Sequence, residues 1–207
     1  YTSHGYMVPD EPDMQPHFYK MVDELAAKYA KDARIQIWDV WNEISGGRRG
    51  DLSLPMMEKC FEIIRSHDPI QPLTADTWTI VYWADDPLNP ERTPLNPWEK
   101  RAVELSDVVS FHDYHNYASS IMTIKYLRDT YHRPLFNTEW LHRMQHNTVQ
   151  THLPLFYLER IGSYHWGFVA GLNQTYEPWE SMWTRYARGE LPADVDFTKW
   201  QHDILRP

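Results

Sequence analysis

The chain has 207 residues, a formal net charge of −9 and a sequence pI of about 5.6. That length suffices to bury one good core, and an acidic chain with no Lys/Arg-rich block excludes nucleic acid and anionic membranes as expected partners. A single cysteine, Cys60, excludes an intrachain disulfide, and no stretch is long and apolar enough to cross a membrane.

In chain order, residues 1–15, with Gly5, Pro9 and Pro12, read as loop. Phe18, Met21, Val22, Leu25 and Tyr29 then recur at helical spacing, predicting an amphipathic helix from Pro16 to about Lys31. Ile35, Ile37, Trp38, Val40 and Trp41 form a β-branched and aromatic run that predicts a buried strand over 35–41. It stops at Asn42-Glu43 and gives way to the loop chemistry of Ile44-Ser-Gly-Gly47. Met57, Cys60, Phe61 and Ile64 are the stripe of a second helix, opened by Pro55, with the cysteine in its core face. A short strand over 71–76 leads to a long aromatic, Pro-rich loop over 77–96, of a length that is more often functional than idle. Pro97–Leu105 reads as a helix capped by Asn96. A strand over 107–112, a helix over 119–131 and a strand over 134–138 follow. Then come a helix over 148–160, a strand over 163–168 and a short helical end near Trp200 to Leu205. Five strands alternating with helices imply a parallel α/β sheet with right-handed crossovers.

Two of these strands run into a carboxylate. Glu43 follows the 35–41 strand, and Arg133-Pro-Leu-Phe-Asn-Thr-Glu139-Trp140 repeats the shape of an apolar strand ending in Glu and an aromatic. A carboxylate at the lip of an apolar strand is costly unless it is hydrogen-bonded or faces a cleft. The structural alternative for Glu43 is pairing with Arg48 or Arg49. In a parallel barrel every strand C-terminus opens on one face, and two carboxylates there are the minimum equipment for glycoside hydrolysis.

Trp41-Asn42-Glu43, His112-Asp-Tyr114, Asn137-Thr-Glu139 and Tyr164-His-Trp166-Gly, in this order, resemble the active-site motifs of clan A glycoside hydrolases. The nearest likeness is to bacterial family 5-like proteins labelled cellulase or β-xylanase, and it runs from about Phe18 to Leu205. The resemblance implies a (β/α)8 TIM barrel in which the five strands are the fourth through eighth. The expectation is a partial barrel of about five β/α units, lacking the first three strands and the last helix. Residues 1–207 would then be a single catalytic-domain portion, completed by another chain or a missing segment and, alone, poorly soluble or oligomeric.

The resemblance also implies roles. Glu43 would be the acid/base and Glu139 the nucleophile of a retaining glycosidase, with no metal or organic cofactor. Asn42 would bind the sugar 2-OH, Tyr114 would donate to Glu139, and His112 would sit near the acid/base. Trp166 would be a stacking floor, with Trp140 and Trp78 as cleft walls unless they are ordinary barrel packing. Ten Trp and thirteen Tyr exceed what a core alone needs and suit the apolar face of a pyranose. The expected partner is therefore an oligosaccharide or polysaccharide, and the expected location secreted or periplasmic. The competing readings are a carbohydrate-binding remnant without turnover and, weaker, a metal-dependent hydrolase using His112-Asp-Tyr-His115, whose spacing is not that of a helical zinc motif. Asp76, at a strand end, reads as a turn residue before it reads as a third cleft carboxylate.

Overall fold

The hydrophobic alternation becomes, in the computed structural model, an ordered series of helices and short strands. The structure describes residues 9–44, 49–77, 95–168, 184, 186–189 and 195–196. The elements are α1 (Gln15–Tyr29), β1 (Trp38–Asp39), α2 (Gly50–Ser66), β2 (Leu73–Thr74), α3 (Pro97–Leu105), β3 (Val109–His112), α4 (Tyr117–Tyr131), β4 (Leu135–Glu139), a 3-10 turn (Arg143–Gln145), α5 (Val149–Leu158) and β5 (Gly162–Ser163). The loop 78–94 and the expected helical end near Trp200 lie outside the described residues. Among the described residues, no helix is long and apolar enough to cross a membrane.

The described chain forms two compact units whose boundary falls inside β3, after Ser110. In the first, β1 and β2 pair in parallel, Trp38 opposite Leu73 and Asp39 opposite Thr74. The pairing outlasts the strand proper: Val40 N–H donates to Thr74 O at 2.8 Å and Asp76 N–H to Trp41 O at 2.9 Å. Beneath it, α1 offers Val22 and Ala26, and α2 offers Met57, Cys60, Phe61 and Ile64, to a core shared with Ile44, Leu73 and Ala102. Burial pushes the Cys60 thiol up to about 12. The stripe predicted for α2 is the buried one. That of α1 is only half right, since Met21 and Leu25 are exposed while Ala26 faces the core.

The second helix also starts earlier than its proline suggested. It opens at Gly50 and carries Pro55 inside. Arg49, just ahead of it, is fixed by Asp10, which accepts from Nε and Nη2 at 2.6–3.0 Å and from Ser53 Oγ at 2.8 Å. This arginine holds the buried Asp10 carboxyl below the usual carboxylate range.

In the second unit the sheet runs β3-β4-β5, with β4 and β5 parallel and Phe136 opposite Gly162. A Cβ on Gly162 would stand 2.3 Å from the Phe136 ring, so only glycine fits that register. Asn116 caps α4 by accepting from Ser119 N–H at 3.1 Å, and Thr148 and Thr151 form a capping box on α5. Such caps are worth about 0.5–2 kcal/mol each. Asn96 caps α3 as predicted, accepting from Glu99 N–H at 2.8 Å.

Candidate active site

Each unit carries one of the two predicted carboxylates at the C-terminal lip of its strands. In the first, the chain leaves the β1 pairing at Trp41, Asn42 is exposed, and Glu43 is half-buried with Ile44 anchored in the core behind it. Glu43 takes a left-handed backbone, φ 47°. That region is uncommon for a residue with a Cβ and persists only where the surroundings hold it. Arg49, one of the two cations that a purely structural reading would pair with Glu43, is instead engaged by Asp10 and Glu11. Asp76 is not an exposed turn residue: it is buried, and its N–H continues the β1–β2 ladder.

In the second unit, Glu139 is the last residue of β4, His112 the last of β3, and Tyr114 lies two residues beyond. Tyr114 Oη donates to Glu139 Oε2 at 2.5 Å. His112 Nδ1 stands 3.5 Å from the same oxygen. The histidine side chain is 1% exposed and the glutamate side chain 23%. The carboxylate thus reaches toward solvent from a base of buried groups, with a neutral donor on one side and a titratable imidazole on the other. Main-chain bonds lock the strand ends together, Asp113 N–H donating to Glu139 O at 2.9 Å.

The aromatic residues divide. Trp140 is 3% exposed, its ring edge-on to Phe156 at 5.4 Å and to His165 at 6.4 Å. Its ring is buried among aromatic side chains of the same unit. Trp166 is half-buried beyond β5, and its main-chain N–H donates to Trp140 O at 2.9 Å. Trp78 lies outside the described residues. Of the pair once weighed for a metal, His112 turns to Glu139, and the main chain of His115 is held by Asp113 and Asn147.

One buried residue escaped the sequence reading. Asn147 accepts from Leu141 N–H at 3.0 Å and donates to Asp113 O at 3.0 Å and His115 O at 2.8 Å. Nothing in its neighbourhood but Asn-Thr turn chemistry could have marked it.

A family model described as cellulase (glycosyl hydrolase family 5) matches residues 3–188. No curated protein matches the chain. Among solved structures, it is similar to a β-D-glucuronidase from Dictyoglomus thermophilum, at 15% identity and TM-score 0.55, over 89% of this chain and 37% of that one. It is also similar to a GH2 β-galacturonidase from Eisenbergiella tayi bound to galacturonate, at 16% identity and TM-score 0.54, over 76% of this chain and 30% of that one. The likeness shows the fold, and the chain spans about a third of the length of these structures.

Proposed function

This chain belongs to the cellulase family, glycosyl hydrolase family 5, and from that membership we propose that it cleaves β-linked glycosidic bonds of an oligosaccharide or polysaccharide by double displacement. Glu139 attacks the anomeric carbon while Glu43 gives its proton to the departing oxygen, leaving an α-linked glycosyl-enzyme. Glu43 then takes a proton from water, which displaces Glu139 and restores the β configuration. The observation that carries this reading is the 2.5 Å hydrogen bond from Tyr114 to Glu139. A hydrogen bond to the charged form of a carboxylate favours that form, and an ionised Glu139 is what nucleophilic attack requires. His112, when protonated, adds to the same effect. The exposed Asn42 suits a partner for the sugar 2-OH, whose hydrogen bonds strengthen in an oxocarbenium-like transition state. Trp166 and Trp78 are the proposed stacking surfaces.

Azide separates the two roles. On a dinitrophenyl β-glycoside the leaving group needs little protonation, so Glu43→Ala keeps a fast first step and stalls at the glycosyl-enzyme. Added azide, which needs no base, restores turnover and yields a β-glycosyl azide. Without azide the deficit is about 10²–10⁴-fold, the usual worth of acid–base assistance. Glu139→Ala abolishes turnover whatever the leaving group. An α-azide from Glu139→Ala would reverse the roles, and unchanged rates in both variants would remove them. Oligosaccharide binding with no turnover by the wild-type chain would favour the carbohydrate-binding alternative.

A further inference from the structure

The hydrogen bond between Tyr114 and Glu139 joins the loop after β3 to the end of β4, and the Tyr114 hydroxyl stays on the carboxylate only while that loop holds its place. We propose that Asn147 is the positioning residue that holds it there: its side-chain amide clamps the loop after β3 to the loop after β4 and so fixes the Tyr114 hydroxyl on the Glu139 carboxylate. The inference rests on the reading of Glu139 as nucleophile.

The amide suits the task in its chemistry. A primary amide offers two donors and an acceptor in one plane, and here all are used on main chain. The two N–H groups go to Asp113 O and His115 O, the carbonyls of the residues on either side of Tyr114. The oxygen goes to the N–H of Leu141, two residues past Glu139. Leu141 is itself fully buried in a left-handed backbone, φ 86°, a conformation a leucine holds only under constraint. The clamp is rigid at its own root. Asn147 exchanges a pair of main-chain bonds with His142, at 2.9 and 3.1 Å, and is fully buried. The His142 ring in turn stands edge-on to the Tyr114 ring at 6.1 Å. An aspartate could not serve, because it would set an acceptor against two carbonyls. On the His115 carbonyl the amide bond, at 2.8 Å, is the shorter of two, Ser120 Oγ donating to the same oxygen at 3.5 Å.

Two variants test the clamp. Asn147→Asp keeps the shape and removes both donors, and Asn147→Ser shortens the arm without adding charge. Each is compared with Tyr114→Phe on an activated aryl β-glycoside across pH. If Asn147 acts through Tyr114, both variants lose about 10–10² in kcat, the scale of a misplacement near 1 Å, with KM little changed. The acid limb of the rate profile moves to higher pH, as it does in Tyr114→Phe, because Glu139 loses its donor. His112, a titratable group placed against Glu139, is untouched in every variant. The double variant Tyr114→Phe/Asn147→Ser shows no further shift, since the two residues act in one chain. An acid limb that stays in place, or effects that multiply in the double variant, would overturn the proposal. Failure of both Asn147 variants to fold would also overturn it, by making the residue part of the scaffold. Turnover is not required for the readout: the titration of the Glu139 carboxyl carbon, followed by NMR, must move in Asn147→Ser even if no glycoside is cleaved. An inactive wild type whose Glu139 titration moves sinks the function and keeps the clamp; an active one whose titration stays put does the reverse.

Discussion

His152 sits in α5 with no exposed surface, its Nε2 3.0 Å from Ser120 Oγ and its Nδ1 2.8 Å from Thr151 Oγ1. Burial lowers its pKa from the ordinary 6.5, against the opposing charge of Asp113 and the main chain of His115 and Thr148. His165 is lowered as well, by burial first and then by the Arg143 charge. An unfolded chain therefore binds these protons near pH 6.5 while the folded chain still refuses them. Linkage then makes stability rise with pH across that interval. The contribution is whole above about pH 6.5 and drains away as the pH falls from there toward the folded values. We expect Tm to drop between pH 7.5 and 5 and the drop to shrink in His152→Gln, as followed by thermal denaturation. A slope unchanged by the substitution would clear His152 of the effect. Asp10 is depressed by Arg49 and loses its contribution only in stronger acid, so the two windows separate. At this scale Glu139 stood out as a carboxylate at the end of an apolar strand, while His112 and Tyr114 came only with the resemblance to clan A glycoside hydrolases. The sequence left Trp140 open between cleft wall and packing, since nothing local tells a packed indole from a platform. It could not show Asn147, whose three partners are main-chain groups brought to it by the fold.

Among the elements, α2 argues most directly about what a pattern can specify. Its apolar stripe was legible and its start was not. Pro55 favours a first turn, yet Gly50 lets the helix begin earlier by passing directly under the Trp98 ring, where a Cβ would lie 2.4 Å from Cδ2. Trp98 cannot easily swing away, because its Nε1–H donates to Asp51 Oδ1 at 3.0 Å. Intrinsic propensity favours alanine over glycine inside a helix by about 0.8–1.0 kcal/mol, and overpacking costs about 1–3 kcal/mol. The clash wins. Gly50→Ala should destabilise the chain by roughly 1 kcal/mol in urea titration, and adding Trp98→Leu should recover part of the loss. A stabilised Gly50→Ala would show that the ring yields freely. The strands are another case: 35–41 and 163–168 were drawn long, and the ladders proper are Trp38–Asp39 and Gly162–Ser163. Apolar alternation marks which face is buried, not how far a partner's hydrogen bonds extend.

For the whole molecule, the alternation of helix and strand and the family were readable, and the β1–β2 and β4–β5 pairings are parallel. The division into two units was not readable, because it cuts through β3, whose four residues are uniformly buried. That division gives the solitary cysteine a use. Cys60 belongs to the first unit alone, is 1% exposed, and its thiol is held at about 12. Only the thiolate attacks a disulfide or an alkylating reagent, so it is silenced twice in the folded state, by access and by protonation. Labelling must wait for an opening that releases it to an ordinary pKa of about 8.5. With no other thiol in the chain, every modified molecule records one such event in one place. Native labelling should run about 10³-fold or more below the denatured rate, in keeping with the usual span of domain stabilities. Comparing its free energy with that of global unfolding, read by circular dichroism, then tells whether the halves melt together. A value well below the global one means that the first unit opens by itself, and the thiol is the clock that times it.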